Sequence, residues 1–98
     1  NGDMKVAEDD MKSITTTNIA NATAVASGAV YDADGNEVTK AAKGQALTVK
    51  LTGTEAGGNF KLTVSGVVNN KAMKVAGKAT VEYTFIATGS NITISTAD

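Results

Sequence analysis

The chain has 98 residues, of which 42% are hydrophobic and 19% charged, with a formal net charge of −1 and no Cys or His. This length suffices for one domain with one core, and the composition is that of a folded globular domain. Without Cys and His, the sequence excludes disulfides, thiolate nucleophiles, iron–sulfur clusters, the usual structural zinc sites and the commonest general base near neutral pH. The clustered acids lie in a turn and near the N-terminus with no second group to perturb them, so we expect no enzymatic activity and no cofactor.

The basic residues are all lysines, since the sequence contains no Arg. Nucleic-acid interfaces favour bidentate guanidinium contacts and a basic face, so we expect no nucleic-acid partner. No run of about 18 apolar residues occurs, so we expect no membrane span. Because the chain begins at Asn1 rather than at a Met, we expect either that a leader has been removed or that the chain is a segment of something longer.

The charges are unevenly distributed along the chain. Residues 1–37 carry seven acids and two lysines, for a net charge of −5, whereas residues 38–98 carry seven lysines and three acids, for +4. Such an asymmetry favours head-to-tail contact between copies. The alternative interpretation is that these side chains are simply solvated on strand faces.

The sequence leaves the conformation of residues 1–21 open. One hypothesis is a short amphipathic helix over Asp3–Ser13, capped by Asp3. Its apolar residues at helical spacing are Met4, Ala7, Met11 and Ile14. The rival is an extended arm ending in a β-prone stretch that pairs with its own sheet or with a neighbour's. The candidate interaction residues of this arm are Ile14, Thr15, Thr16 and Thr17.

Residues 22–98 show the alternation of half-buried strands. The stretch 81–87 holds two of the four aromatic residues, so we interpret it as the central strand. Ile86 is the apolar exception on its outward side, and we expect it under a loop or against a partner. Gly28 predicts a bulge or bend in an earlier strand, and Asn69-Asn70 predicts a hairpin turn. The residues expected to face the core are Leu47, Val49, Leu51, Phe60, Leu62, Val64, Val81, Tyr83, Phe85, Ala87, Ile92 and Ile94.

An Asp-Gly pair between Tyr31 and Val38 predicts a hairpin turn. Its oxygen-bearing side chains are those of Asp32, Asp34 and Asn36. They superficially match the start of a calcium loop, but the sixth position lacks Gly and the twelfth is Lys43 instead of a bidentate Glu. A plain turn is the favoured interpretation, and a weak cation site formed by these three residues is the alternative.

Glycines at turn positions recur mostly 7 to 13 residues apart, which is the rhythm of a small sandwich or barrel. The connections are too short for the crossovers that parallel strands need. The sequence therefore predicts an all-β fold: an antiparallel, Ig-like β-sandwich of seven or eight short strands over residues 22–98, preceded by an N-terminal arm or short helix over residues 1–21.

Four short motifs carry a resemblance to a known family. They are Leu47-Thr48-Val49, Leu62-Thr63-Val64-Ser65-Gly66, Tyr83-Thr84-Phe85 and Ile92-Thr93-Ile94. In this order they resemble the immunoglobulin-like repeats of bacterial secreted and cell-surface proteins, and the turn at Asp32–Asn36 resembles a hairpin common in such repeats. The resemblance implies a structural or adhesive spacer outside the cell or on its surface.

The leading functional hypothesis is a non-catalytic structural or adhesive module of a prokaryotic extracellular or surface protein, whose partners are other copies or neighbouring domains. Its specific version is a self-assembling filament or surface-layer subunit that adds the strand at Ile14–Thr17 to the next molecule. One alternative is a carbohydrate-binding module in which an exposed Tyr31 meets a glycan, although the sequence lacks the Trp that sugar platforms favour. Another is a virion decoration domain, which the sequence does not separate from the first hypothesis.

Overall fold

The computed structural model describes residues 11–65 and 71–98. This part of the chain contains eight strands and no helix. The strands are β1 (Lys12–Asn18), β2 (Val25–Asp32), β3 (Lys40–Ala41), β4 (Ala46–Gly53), β5 (Gly58–Val64), β6 (Lys71–Val75), β7 (Thr80–Ile86) and β8 (Ile92–Ala97). They form a five-stranded sheet of order β3-β1-β8-β5-β6 and a three-stranded sheet of order β2-β4-β7. The predicted all-β sandwich of seven or eight strands is therefore confirmed.

The core lies between the two sheets and is built by the predicted alternation. In β4, Leu47 and Val49 have no exposed surface and Leu51 has 1%, while the residues between them remain partly exposed. Burial of one such side chain stabilises the fold by roughly 1.5–3 kcal/mol. The core-facing side chains of the five-stranded sheet, such as those of Leu62 and Ile94, belong to the same apolar cluster. One core thus joins both layers.

Within residues 11–65 and 71–98, the stretch 81–87 lies at the edge of its sheet, which contradicts the prediction that it forms the central strand. The central strand of the three-stranded sheet is β4, which pairs with β2 on one side and with β7 on the other. At the edge, Val81 and Tyr83 are only half-buried, whereas Phe85 is buried. Aromatic side chains mark a core-facing side of a strand, but they do not determine how many neighbours the strand has.

The prediction of purely antiparallel pairing is also wrong at one place. The first and last strands, β1 and β8, run parallel, with Ile14 opposite Ile92 and Thr15 opposite Thr93. The argument from short connections applies to strands that follow each other in sequence. Because β1 and β8 are separated by most of the chain, no short connection constrains their relative direction.

Gly28 does not form the predicted bulge. The irregularity in β2 lies between Val25 and Ser27, and Gly28 pairs regularly with Leu51. A Cβ at Gly28 would lie 2.6 Å from Cδ2 of Leu51 and 3.0 Å from Cδ1 of Ile19. Gly28 therefore permits close packing against the core rather than a bend.

Other predictions fall partly or wholly outside the described residues. Of the helix predicted over Asp3–Ser13, only the last residues are described, and Lys12 and Ser13 belong to β1. Since β1 is part of the five-stranded sheet, the sandwich begins before residue 22. The Asn69-Asn70 turn is not described, although the strands it would join, β5 and β6, are antiparallel neighbours. Within the described ranges there is no helix long and apolar enough to cross a membrane.

Candidate functional site

The two lateral sides of the sandwich differ, and we name them the closed side (at β2 and β3) and the open side (at β6 and β7). On the closed side, the segment after β2 lies against both sheets. The backbone N–H of Val38 donates to the carbonyl of Val30 in β2 (3.0 Å), and the carbonyl of the next residue, Thr39, accepts from the N–H of Ile14 in β1 (2.9 Å). The chain therefore covers the edge of β2 and joins it to the opposite layer.

The open side exposes the outer edge of β7, because β4 is the only strand that pairs with β7 in the described part of the chain. Pairs in an antiparallel ladder alternate between hydrogen-bonded and non-bonded. The N–H of Gly53 donates to the carbonyl of Ala79 (2.8 Å), and the N–H of Ala87 donates to the carbonyl of Gln45 (2.9 Å). The odd-numbered residues of β7 therefore bond to β4, and the backbone groups that point outward belong to Thr80, Glu82, Thr84 and Ile86.

The side chains at this opening are apolar. Met73 of β6 and Val81 and Tyr83 of β7 are half-buried and pack against the core. The ring of Tyr83 stacks on that of Phe85, with centroids 6.1 Å apart and an interplanar angle of 16°. β6 and β7 lie near one another at this side. The open side therefore combines backbone groups that no described strand pairs with and partly exposed apolar side chains.

The edges of β6 and β7 differ in charge. β6 has two lysines among its five residues, and lysines on an edge strand discourage pairing with another chain. β7 has a single charged residue, Glu82, among seven. Lys74 of β6 and Lys78 of the following turn have exposed side chains, so the unprotected edge of β7 has a positive flank.

The predicted interaction residues Ile14, Thr15, Thr16 and Thr17 lie in β1, between β3 and β8 of their own sheet. Ile14 is only 8% exposed and belongs to the core. Of the two pairings expected for this stretch, pairing within its own sheet is the arrangement that the structure shows. Donation of these four residues to a neighbour would remove β1 from the five-stranded sheet, so they are not the available donor in this structure.

The turn at Asp32–Asn36 is confirmed. Oδ1 of Asp32 accepts hydrogen bonds from the N–H of Asp34 and of Asn36, each at 2.9 Å, and Gly35 has φ +86°. A carboxylate that accepts backbone N–H groups in this way holds an Asx turn. The described residues contain no group of three or more His, Cys, Asp or Glu that could hold a metal ion. The alternative of a weak cation site formed by Asp32, Asp34 and Asn36, which includes an amide, stays a prediction.

The outer face of the three-stranded sheet carries the predicted glycan contact, Tyr31. Its ring is half-buried, and Nζ of Lys50 lies 4.9 Å from the ring centroid. A shallow cavity of about 260 Å³ adjoins the ring, and its lining residues are Ser27, Gly28, Ala29, Tyr31, Lys50, Thr52 and Thr80. Ile86 lies on the same face with 53% of its surface exposed, so it does not lie under a loop of the described residues.

Two further contacts, which no sequence pattern predicted, fix the turn between β1 and β2 to β8 and to the residue that follows it. The hydroxyl of Thr96, a buried group, accepts from the N–H of Ala22 (2.9 Å) and donates to the carbonyl of Ile19 (3.0 Å). The carboxylate of Asp98 accepts from the N–H of Thr23 (2.7 Å) and from its hydroxyl (2.8 Å). These bonds, led by the one from the backbone, lower the pKa of Asp98 from its ordinary value, against a smaller opposing effect of burial. No sequence pattern marks either contact, because each joins residues more than 70 positions apart.

Comparisons of the chain with protein-family models, with curated proteins and with solved structures found no match.

Proposed function

We propose that this chain is a non-catalytic structural module of a prokaryotic extracellular or cell-surface protein, and that it works by associating with other copies or with neighbouring domains. The observation that carries the proposal is the edge of β7, where the outward backbone groups of four residues have no strand partner within the described chain. An edge of this kind is a template for pairing with another chain.

The remainder of the sandwich supports the same proposal. Its interior is built from apolar side chains, and the buried hydroxyl of Thr96 has hydrogen-bond partners. Such an interior stabilises a shape, so the surfaces and edges are the parts that a partner meets. The extracellular and prokaryotic setting is proposed from the resemblance of the strand motifs to bacterial Ig-like repeats.

Sedimentation equilibrium of the full chain, from micromolar to millimolar concentration, tests the association. We expect a mass that rises from 9.9 kDa as the concentration increases. A mass that stays at that of the monomer throughout would contradict association between copies. Protease treatment of intact source cells tests the setting, because a surface module is cleaved without lysis and an internal protein is not.

A second candidate is glycan binding on the outer face of the three-stranded sheet. The observation that favours it is the shallow cavity in which the ring of Tyr31 lies beside several hydroxyl groups, since sugars stack on rings and bond to hydroxyls. Lys50 already lies over that ring, so the ring is only partly available. A glycan array tests this candidate: we expect a signal that Tyr31→Ala removes and that Thr93→Ala, on the other sheet, leaves intact. Silence of the array would reject it.

A further inference from the structure

We propose that the outer edge of β7 accepts residues 1–10 of a second copy as an added strand, so that copies join head to tail. This inference rests on the proposed association between copies and names its donor and its acceptor. The added strand would become the fourth strand of the three-stranded sheet.

The acceptor is defined by the backbone of β7. Its outward N–H and C=O groups, from Thr80 to Ile86, recur at every second residue along a seven-residue strand. An added strand about 4.8 Å away would form hydrogen bonds with these groups. The apolar side chains of Val81 and Tyr83, which are half-buried at this edge, would then be covered by the core-facing side chains of the added strand.

The donor has a suitable pattern. Met4 and Val6 are two residues apart with Lys5 between them, so an extended backbone places the two apolar side chains on the same side. That side matches the apolar opening of Met73, Val81 and Tyr83. Lys5 would then point away from the core, towards solvent.

Charge complementarity favours residues 1–10, rather than the β7 edge of another copy, as the partner of the β7 edge. Residues 1–10 contain four acids and one lysine, whereas the open side has the exposed Lys74 and Lys78. Opposite charges across an interface steer association and disfavour wrong partners. Pairing of two β7 edges around a two-fold axis would instead bring Lys74 and Lys78 of one copy towards the same lysines of the other.

The position of β1 favours a second copy over the same chain. In the order β3-β1-β8-β5-β6, three strand spacings separate β1 from the open side, which is about 14 Å, and the sheets are about 10 Å apart. If residues 1–10 of the same chain ran from β1 to the edge of β7, they would use about half of their extended length, at roughly 3.3 Å per residue, to cover that distance. A second copy can align the whole segment. The contact joins two different surfaces, so it produces rings or open filaments.

Two full-length variants that each lose one half of the contact test the proposal. The donor variant, Met4→Asn with Val6→Asn, keeps its β7 edge but lacks the apolar side chains. The acceptor variant, Thr84→Pro, loses an outward N–H and the hydroxyl contact with Thr48 (3.2 Å) but no backbone bond to β4, since Pro is tolerated where the N–H of an edge strand faces outward. Circular dichroism and thermal unfolding check that both fold, and Glu82→Pro, at another outward position, replaces Thr84→Pro if the latter does not.

We expect each variant alone to remain monomeric in sedimentation velocity, while the wild-type chain forms larger species. An equimolar mixture of the two variants should form a heterodimer and nothing larger, because only one edge and one donor segment remain intact. Lys74→Glu should weaken assembly of the wild-type chain roughly tenfold. The matched variant Lys40→Glu, on the closed side, should leave assembly nearly unchanged.

The other outcomes separate the two proposals. If the wild type assembles but the mixture does not form the heterodimer, the inferred donor or acceptor is wrong and the proposed function stands. If the donor variant still dimerises, and adding Thr84→Pro to it abolishes the dimer, the contact is a pairing of two β7 edges instead. A monomeric wild type together with a heterodimerising mixture would show that residues 1–10 occupy the β7 edge of their own chain. If no sample associates, this inference and the proposed association between copies both fail.

Discussion

The closed and open sides of the sandwich contain strands with the same alternating pattern, but the strands differ in what lies beyond them. Val30 of β2 and Val81 of β7 occupy the two outer strands of one sheet and both face the core. Val30 is only 1% exposed, since its strand is covered by the returning chain, whose Val38 bonds to the backbone of Val30. Val81 remains half-buried. The contrast teaches that burial at an edge strand depends on the neighbouring segment as much as on the strand's own sequence.

The largest expected effect is a matched pair of substitutions at these two valines. Val30→Ala should lower the free energy of unfolding by about 2–3 kcal/mol, because it removes buried methyl groups and leaves a cavity. Val81→Ala should cost less than about 1 kcal/mol, because part of this side chain is already in water. Urea unfolding of both variants measures the difference, and equal losses would show that the two sides pack equally well.

A second prediction concerns the turn that leads from β1 into β2, the outer strand of the closed side, which the hydroxyl of Thr96 fixes to β8. Thr96→Val keeps the shape of the side chain but leaves the N–H of Ala22 and the carbonyl of Ile19 without their partner. The loss of stability should be about 1–3 kcal/mol, the cost of unsatisfied buried polar groups. Thr93→Val, at an exposed position of the same strand, is the control and should change the urea midpoint little. If Thr96→Val left the free energy of unfolding unchanged, this hydroxyl would not fix the turn.

A smaller effect is expected at the turn that leads onto the closed side. Asp32→Ala removes the carboxylate that accepts the N–H groups of Asp34 and Asn36, and should cost about 1 kcal/mol of unfolding free energy. Asp34→Ala, in the same exposed turn, removes a carboxylate of the same charge and should cost less. Thermal unfolding of the two variants measures this, and a larger loss for Asp34→Ala would refute the assigned role of Asp32.

The smallest effect is a dependence on pH at Asp98. Its bonds to Thr23 lower the pKa of its carboxyl below the ordinary 3.8. The folded state thus binds the proton less tightly than the unfolded state, so the contribution to stability is present above pH 3.8 and is lost as the pH falls through the lowered value. Thermal unfolding of the wild type and of Asp98→Asn should therefore differ at pH 6 and converge at acidic pH. A difference that grows on acidification would contradict the assignment.

Much of the fold could be predicted because its signals are local. The alternation of Leu47, Val49 and Leu51 reports which side of β4 faces the core, whatever the strand pairs with. The Asp34-Gly35 pair likewise identifies a turn, because its backbone requirement lies within a few residues. Strand order and direction are not local, so the sequence did not show that β4 rather than β7 is central, or that β1 and β8 are parallel.

At the candidate site, too, local features could be predicted from the sequence and strand pairing could not. The alternation of β7 predicted that Tyr83 and Phe85 face inward and Ile86 outward, and the structure confirms these orientations. Whether the edge of β7 is paired depends on the whole topology, which no local pattern encodes. The low charge of residues 80–86, with Glu82 alone among them, was the available signal, since exposed edges usually carry protective charges.

The parallel pair of β1 and β8 has a mechanical consequence. Because Ile14 lies beside Ile92 and Asn18 beside Ser95, β1 begins at one end of the sandwich and β8 finishes at the other. Tension applied through Lys12 and Ala97 would slide the two strands past each other lengthwise. The hydrogen bonds between them would then be strained together rather than one after another. A module of this geometry is suited to carrying load along its long axis when it is linked in series.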